Sequence, residues 1–212
     1  MTKQPLVLIG GGGHCRSAIE VIESGGMYMI GGILDLPEKK GTSVLDYPVI
    51  GGEELIGNLK GEQYRFIITI GFIRNASPRI SAFGKVKNAG ADLPVIVSPH
   101  AVIARSAKIG EGSMVFHKSV INATVEAGVN NIFNTGSIIE HDCRIGDHNH
   151  ISTGVIMNGN CTVGSRVFIG SGTVVKEGVT ISDDVIIGAG SVVTKNTTGP
   201  GIYFGSPAKK YG

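Results

Sequence analysis

The sequence predicts two units of different class, a small Rossmann-like parallel α/β unit over residues 1–97 and a parallel β-helix with a C-terminal tail over residues 98–212. Three observations carry this. Apolar residues recur at every sixth position from Ile103 to Val193; four consecutive glycines, Gly10–Gly13, separate a strand-like segment from an amphipathic one; and 33 of the 212 residues are glycine while only 17% are charged. That is about twice the usual glycine content, with a deficit of charge. Disorder and collagen are both excluded, because 42% of the residues are hydrophobic and glycine does not fall at every third place.

The N-terminal unit reads strand, turn, helix, strand, acid. Pro5–Ile9 is an apolar strand, Gly10–Gly13 the turn, Ser17–Ser24 an amphipathic helix, Tyr28–Leu34 a second strand, and Asp35 follows it. Glycines at such a turn let the backbone approach a phosphate where a helix N-terminus presents unpaired N–H groups. An acid at the end of the second strand suits a ribose or a base. Cys15, where the dinucleotide fingerprint has glycine, argues against a redox cofactor; a structural turn without ligand is the plainer alternative. The pattern continues with helices over Glu53–Leu59 and Pro78–Ala89 and strands over Arg65–Ile70 and Pro94–Val97. Four parallel strands flanked by helices are the simplest assembly, with Pro94–Pro99 as the hand-over.

The second unit rests on a count. All sixteen positions reached by steps of six from Ile103 to Val193 are apolar, an outcome with a chance of about one in a million if positions are independent draws. A six-residue period fits neither an α-helix nor an alternating strand; it fits short strands joined by tight corners, three hexapeptides to a triangular coil. A β-sandwich would not hold one period this long. Between residues 103 and 195, twelve of thirteen glycines lie one or three places after a periodic aliphatic residue. Asn130, Asp142, Asn160 and Asp184 take the third place elsewhere, and these types tolerate a left-handed corner.

Against corners of Gly, Ser and Asn, titratable groups stand out. His141, two places after Ile139, is expected to project from its corner as a proton acceptor. Glu140 or Asp142 would fix its tautomer. No Ser or Cys nucleophile pairs with it, which favours direct attack by a substrate group. Gly159, one coil on, is expected to leave open space above His141, and its surroundings offer backbone N–H groups for an oxyanion. His150 is a candidate ligand contact along the stack; His148 is expected to be solvated, and His100 and His117 to be surface residues. Cys143 and Cys161, 18 residues apart, are expected to stack as core thiols, and Cys15 completes a set too small for a disulfide framework.

The formal net charge of +2 without a run of like charge argues against a nucleic-acid partner. No stretch is long enough to insert in a membrane, and without a cleavable apolar leader the expected location is cytoplasmic.

These residues together resemble the hexapeptide-repeat sugar acetyltransferases of the bacillosamine and perosamine N-acetyltransferase and sialic-acid O-acetyltransferase (PglD/NeuD-like) group. The resemblance covers nearly the whole chain: Gly13-His14, Ile33-Leu34-Asp35, Ile70-Gly71, Asn134 with Ile139-Glu140-His141-Asp142, His150, and the tail Gly205-Ser206-Pro207-Ala208-Lys209. It implies a left-handed β-helix, a homotrimer, acetyl-CoA lying between neighbouring helices, and a nucleotide sugar on the N-terminal unit. By this resemblance His141 is the general base and Asp142 its orienting acid. Gly12, Gly13, His14, Asp35, Gly71 and Asn134 lie on the acceptor side, and His150, Gly159, Ser171 and Ala189 touch acetyl-CoA. The implied reaction is acetylation of the amino group of a nucleotide-linked amino sugar, of the UDP-4-amino-sugar type, in bacterial glycan biosynthesis. Sialic-acid-type O-acetylation is the alternative. The residues speak against two other classes. A metal-dependent hexapeptide protein needs three histidines in register, whereas His117 and His141 are 24 residues apart, one face out of step; no metal is expected. The Glu140-His141-Asp142 corner argues against a non-catalytic binding module.

Overall fold

The computed structural model describes residues 3–211, so positions 1, 2 and 212 of the two expected spans lie outside the described residues. Five strands form the first sheet in the order β3-β4-β2-β1-β5: β1 (Gln4–Ile9), β2 (Tyr28–Leu34), β3 (Ser43–Val44), β4 (Tyr47–Gly51) and β5 (Arg65–Ile68). All neighbours run parallel except the β3–β4 hairpin. Helix α1 (Gly13–Gly25) covers one face, and α2 (Ile56–Gly61) with α3 (Ser77–Asn88) covers the other. A sheet covered on both faces needs apolar residues in unbroken runs. In β1, accordingly, Leu6 and Leu8 pack with α1 while Val7 and Ile9 pack with α2 and α3.

Four parallel strands are present, but the fourth is not the one expected from the sequence. Tyr47–Gly51 takes that place, and Ile96–Val97 (β6) instead pairs with Met114–Val115 in the second unit. The reason is periodic: stepping back six from Ile103 lands on Val97, so this strand obeys the coil register. The β3–β4 hairpin turns at Leu45-Asp46 with Leu45 at φ 49°. It lacks the Asn-Gly or Asp-Gly pair that would have announced it.

From β6 onward the chain winds as a parallel β-helix whose two-residue strands stack into three sheets, each strand pairing with the one 18 residues away, as Ile121 does with Ile139. Of the aliphatic row, Val115 to Val193 are buried, while Ile103 and Ile109, in the open first coil, are only partly so. Cys143 and Cys161 lie in this core. At every corner from Gly112 to Gly190, the residue three places after the row has positive φ, glycine or not; Asn130, Asp142, Asn160 and Asp184 lie at 55°, 62°, 58° and 56°. The glycines one place after the row serve close approach: a Cβ on Gly146 would sit 2.7 Å from the Gly164 carbonyl oxygen of the next coil.

The three outer faces differ, and the difference positions everything else. One face presents Met114, Ile132, His150 and Phe168 and packs under the α/β unit. The next presents Val102, Val120, Ile138, Ile156, Val174 and Val192, an apolar stripe with Val102 62% exposed. The third presents Lys108, Glu126, Arg144, Thr162 and Thr180, all exposed. Strands Gly201–Gly205 and Ala208–Lys210 extend the docked sheet at its far end. No helix among the described residues is long and apolar enough to cross a membrane.

Candidate active site

His141 stands at the corner between the apolar and polar faces, with its side chain 59% exposed. The left-handed backbone at Asp142 turns that carboxylate back onto the imidazole, where Oδ2 accepts a hydrogen bond from Nδ1 at 2.8 Å. A carboxylate can only accept, so Nδ1 carries the proton and Nε2 of the neutral ring is left with a lone pair. Thr124, one coil back, donates from Oγ1 to Asp142 Oδ1 at 2.6 Å. Glu140 is engaged elsewhere, accepting from Asn122 Nδ2 at 2.9 Å; Asp142 is therefore the group that orients the ring. The hydrogen bond to Asp142, aided by the negative charges of Asp142, Glu140 and Glu177, raises the His141 pKa above the ordinary imidazole value. The Thr124 and His141 hydrogen bonds lower that of Asp142.

Gly159 does not leave open space. The imidazole itself lies across it, and a Cβ there would sit 2.7 Å from Cε1 and 2.8 Å from Nε2 of His141. The Asn160 N–H donates to the His141 carbonyl at 2.9 Å and locks the two coils in register. The Gly159 N–H, like that of Ser171 at the same corner place, donates to no main-chain acceptor among the described residues.

The second cluster surrounds a cavity of about 850 Å³ between the glycine turn and the docked face, lined by Gly10–Gly13, His14, Asp35, Lys39, Gly71, Phe72 and His150. Gly10 has φ 105° and its absent Cβ would collide with Ile70, whereas nothing among the described residues lies within 4 Å of a Cβ on Gly12 or Gly13. These last two are open floor at the start of α1, where N–H groups and the helix dipole favour an anion. Asp35 is already occupied: Oδ2 accepts from the Gly11 N–H at 2.8 Å and Lys39 Nζ at 2.9 Å, and Oδ1 from the Leu36 N–H at 2.8 Å. Its burial works to raise the pKa, yet these hydrogen bonds outweigh it and hold the carboxyl below its usual value. Asp35 thus closes the turn, with capacity left on Oδ1 for one further donor.

His14 and His150 form the inner wall, their ring centroids 5.8 Å apart. His14 packs its Cβ on Gly71 and its ring 5.0 Å from Phe116, leaving Nε2 buried without a partner among the described residues. His150 donates from Nδ1 to the Phe72 carbonyl at 2.8 Å, and its Nε2 accepts from Asn134 Nδ2 at 3.2 Å. Burial, reinforced by His150 and Arg79, lowers the His14 pKa to about 3; burial lowers that of His150 to about 4 against the opposing Phe72 hydrogen bond. Both rings are neutral at physiological pH.

Within one chain the expected site residues fall into three places. Gly12, Gly13, His14, Asp35, Gly71 and, through its bond to His150, Asn134 gather at the cavity. His141, Asp142 and Gly159 share one edge of the β-helix, while Ser171 and Ala189, both exposed, lie on the edge between the docked and apolar faces, a whole face away. His150 belongs to the cavity and not to the Gly159 edge, and both its ring nitrogens are engaged. His100 is exposed, but His117 is half-buried with Nδ1 2.6 Å from Ser98 Oγ, and His148 is half-buried beside Asn130 Nδ2 and Phe83. Both depart from the solvated setting expected, because the α/β unit covers His148 and the β6 strand adds Ser98 below His117. Sequence reasoning missed Phe72 and Lys39; the i,i+4 spacing of Asp35 and Lys39 was the signal for the latter. Among the described residues no three His, Cys, Asp or Glu side chains converge as metal ligands.

Residues 5–85 match the family described as PglD N-terminal domain, and residues 160–195 match the bacterial transferase hexapeptide (six repeats) family. No curated protein sequence matches the chain. Among solved structures, a variant of perosamine N-acetyltransferase from Caulobacter crescentus, in complex with CoA and GDP-perosamine, is 32% identical over 100% of this chain and 98% of its own, with a TM-score of 0.92. The acetyltransferase domain of PglB from Neisseria gonorrhoeae, in complex with acetyl coenzyme A, is 31% identical over 99% of this chain and 100% of its own, at 0.90. WeeI from Acinetobacter baumannii shares the fold at 23% identity over 99% of this chain and 100% of its own, with a TM-score of 0.84.

Proposed function

From the premise that this chain belongs to the PglD/NeuD-like hexapeptide-repeat sugar acetyltransferases, built as a Rossmann-like unit and a left-handed β-helix, we propose that it transfers the acetyl group of acetyl-CoA to the amino group of a sugar carried on a nucleoside diphosphate. The observation that carries this reading is the His141–Asp142 pair, exposed at a β-helix edge with its Nε2 lone pair free. The acceptor nitrogen attacks the thioester carbonyl while Nε2 of His141 removes its proton. The C–S bond then breaks, giving the amide and the CoA thiol. Asp142 keeps the lone pair on Nε2 and steadies the imidazolium, and the Gly159 N–H is the donor offered to the oxyanion.

The three places described above support a closed ring of copies, the homotrimer. An apolar stripe of six β-branched residues is a face that calls for a cover. Packing these faces about a three-fold axis puts the His141 edge of one copy against the Ser171–Ala189 edge of the next, which borders that copy's cavity. In this arrangement acetyl-CoA runs between the two edges, and the nucleotide lies over Gly12 and Gly13 with its sugar toward His14, His150 and Asn134.

The test is turnover of acetyl-CoA with 4-amino sugars carried on UDP and on GDP, with the product identified by mass and NMR. Release of one thiol per N-acetylated sugar is expected, with the UDP acceptor preferred. Acetylation at a hydroxyl only, or no thiol release with either acceptor, would overturn the reading. A thermal-shift screen with UDP, GDP, CDP and CMP sugars identifies the base, since a ligand that binds only the folded state raises its stability.

A further inference from the structure

Arg79 is completely buried, the largest such side chain among the described residues. Among the described residues no carboxylate pairs with it, and burial lowers its pKa to about 9. It also sits in the first turn of α3, where the helix dipole disfavours a cation. A buried, unpaired charge at the wrong helix end costs stability, and a well-packed apolar side chain of like volume would avoid that cost. The guanidinium accordingly has a task that volume alone does not supply.

Its donors define the task. Nη1 donates to the Ile68 carbonyl at 2.6 Å and to the Ile70 carbonyl at 3.0 Å, and Nε donates to the Asn130 carbonyl at 3.2 Å. β5 is an edge strand whose inner side is tied to β1, with the Thr69 N–H on the Ile9 carbonyl at 2.8 Å. The outward carbonyls of Ile68 and Ile70 have no further strand to meet, and Arg79 takes that strand's place. Asn130 is a left-handed corner of the β-helix with φ 55°. One planar fork therefore fastens the exit of β5 to the second unit. Two residues on, His150 fastens the same segment by the Phe72 carbonyl. Gly71, held between the two fastenings, is the surface on which His14 packs.

We propose that Arg79 is a positioning residue for the acceptor substrate, fixing the Ile68–Phe72 segment to the β-helix so that the Gly71 wall and His14 keep their place in the cavity. The role assigned to the cavity rests on the function proposed above; the fastening itself does not. A lysine keeps the charge but not the planar fork that reaches three carbonyls, so Arg79→Lys should act as a partial form and Arg79→Met as the full loss.

Two readouts in the full-length protein separate this from general destabilisation. In steady-state kinetics, Arg79→Met should raise KM for the amino-sugar nucleotide about tenfold or more while KM for acetyl-CoA stays within about twofold, with Arg79→Lys in between. In hydrogen exchange read by mass spectrometry, peptides across residues 66–73 should exchange faster in both variants while coil peptides across 151–175 keep their protection. Equal changes in both KM values, unchanged KM values with activity lost only in proportion to folded protein, or unaltered exchange across 66–73 would each overturn the proposal. If the wild type acetylates no amino-sugar nucleotide, the functional reading fails and exchange alone decides the fastening. If Arg79→Met does not fold, Arg79→Lys carries both measurements.

Discussion

The two histidine clusters of this chain are built in opposite ways. His141 stands in solvent at an edge, its pKa raised by Asp142. His14 and His150 are sealed at the junction of the two units, their pKa values lowered to about 3 and about 4. An exposed imidazole with an oriented proton and a free lone pair can take a proton and return it to water. Buried neutral imidazoles shape and line a cavity but resist charging. On the function proposed above, proton transfer and recognition are divided between places that one chain does not bring together.

The largest effect is expected from removing the exposed imidazole. His141→Ala should lower kcat by about 10² to 10⁴, the usual worth of general-base catalysis, and leave the melting temperature nearly unchanged, because the side chain is 59% exposed and its removal opens no cavity in the core. Equal loss from a variant that merely unfolds would show as a shifted Tm. Gly159→Ala is the next largest. Its Cβ would displace the His141 ring, which is free to swing outward, so activity should fall about 10- to 100-fold, as for a catalytic group held out of line, while circular dichroism and Tm stay as in the wild type.

Asp142→Asn acts through pH. The base works when neutral, so kcat falls as pH drops through its pKa, and the acid limb of the wild type should lie above the ordinary imidazole value. Removing the carboxylate removes the main cause of the rise, and the limb should move to lower pH with about a tenfold loss in kcat at neutral pH. A limb that does not move would deny Asp142 its role. The buried pair acts on stability and not on rate. Because the folded-state pKa values of His14 and His150 lie below 6.5, the unfolded chain binds more protons below that pH. Their contribution is present above pH 6.5 and lost as pH falls toward 4 and then 3. Tm should decline over that window, and less so in His150→Gln.

The same division explains what the sequence discloses. The β-helix is legible because one residue type recurs at one spacing, and each corner states its own backbone conformation. Even the strand placed in the wrong sheet, Ile96–Val97, obeys the six-residue register. The Glu140-His141-Asp142 corner is legible for the same reason, being local and out of pattern, although the choice of Asp142 over Glu140 needed Asn122 and Thr124 from a neighbouring coil. The cavity is not legible in this way. His150 meets a carbonyl 78 residues away, Arg79 one 51 residues away, and no periodicity announces a contact between units. The Tyr47–Gly51 strand was hidden by a turn with unremarkable residues, Leu45-Asp46.

If the cavity of one copy is served by His141 of another, as proposed above, mixing inactive variants shows it directly. Gly12→Phe fills the open floor of the cavity without backbone strain, since Gly12 lies at φ −78° with nothing within 4 Å of its Cβ; His141→Ala removes the base. Each alone should be inactive. Dissociated and reassembled together in equal amounts, they should recover about a quarter of wild-type acetyl-CoA turnover, because in a cyclic ring that share of sites pairs an intact cavity with an intact histidine. No recovery from well-formed mixed assemblies would place both halves of the site in one chain and contradict the account.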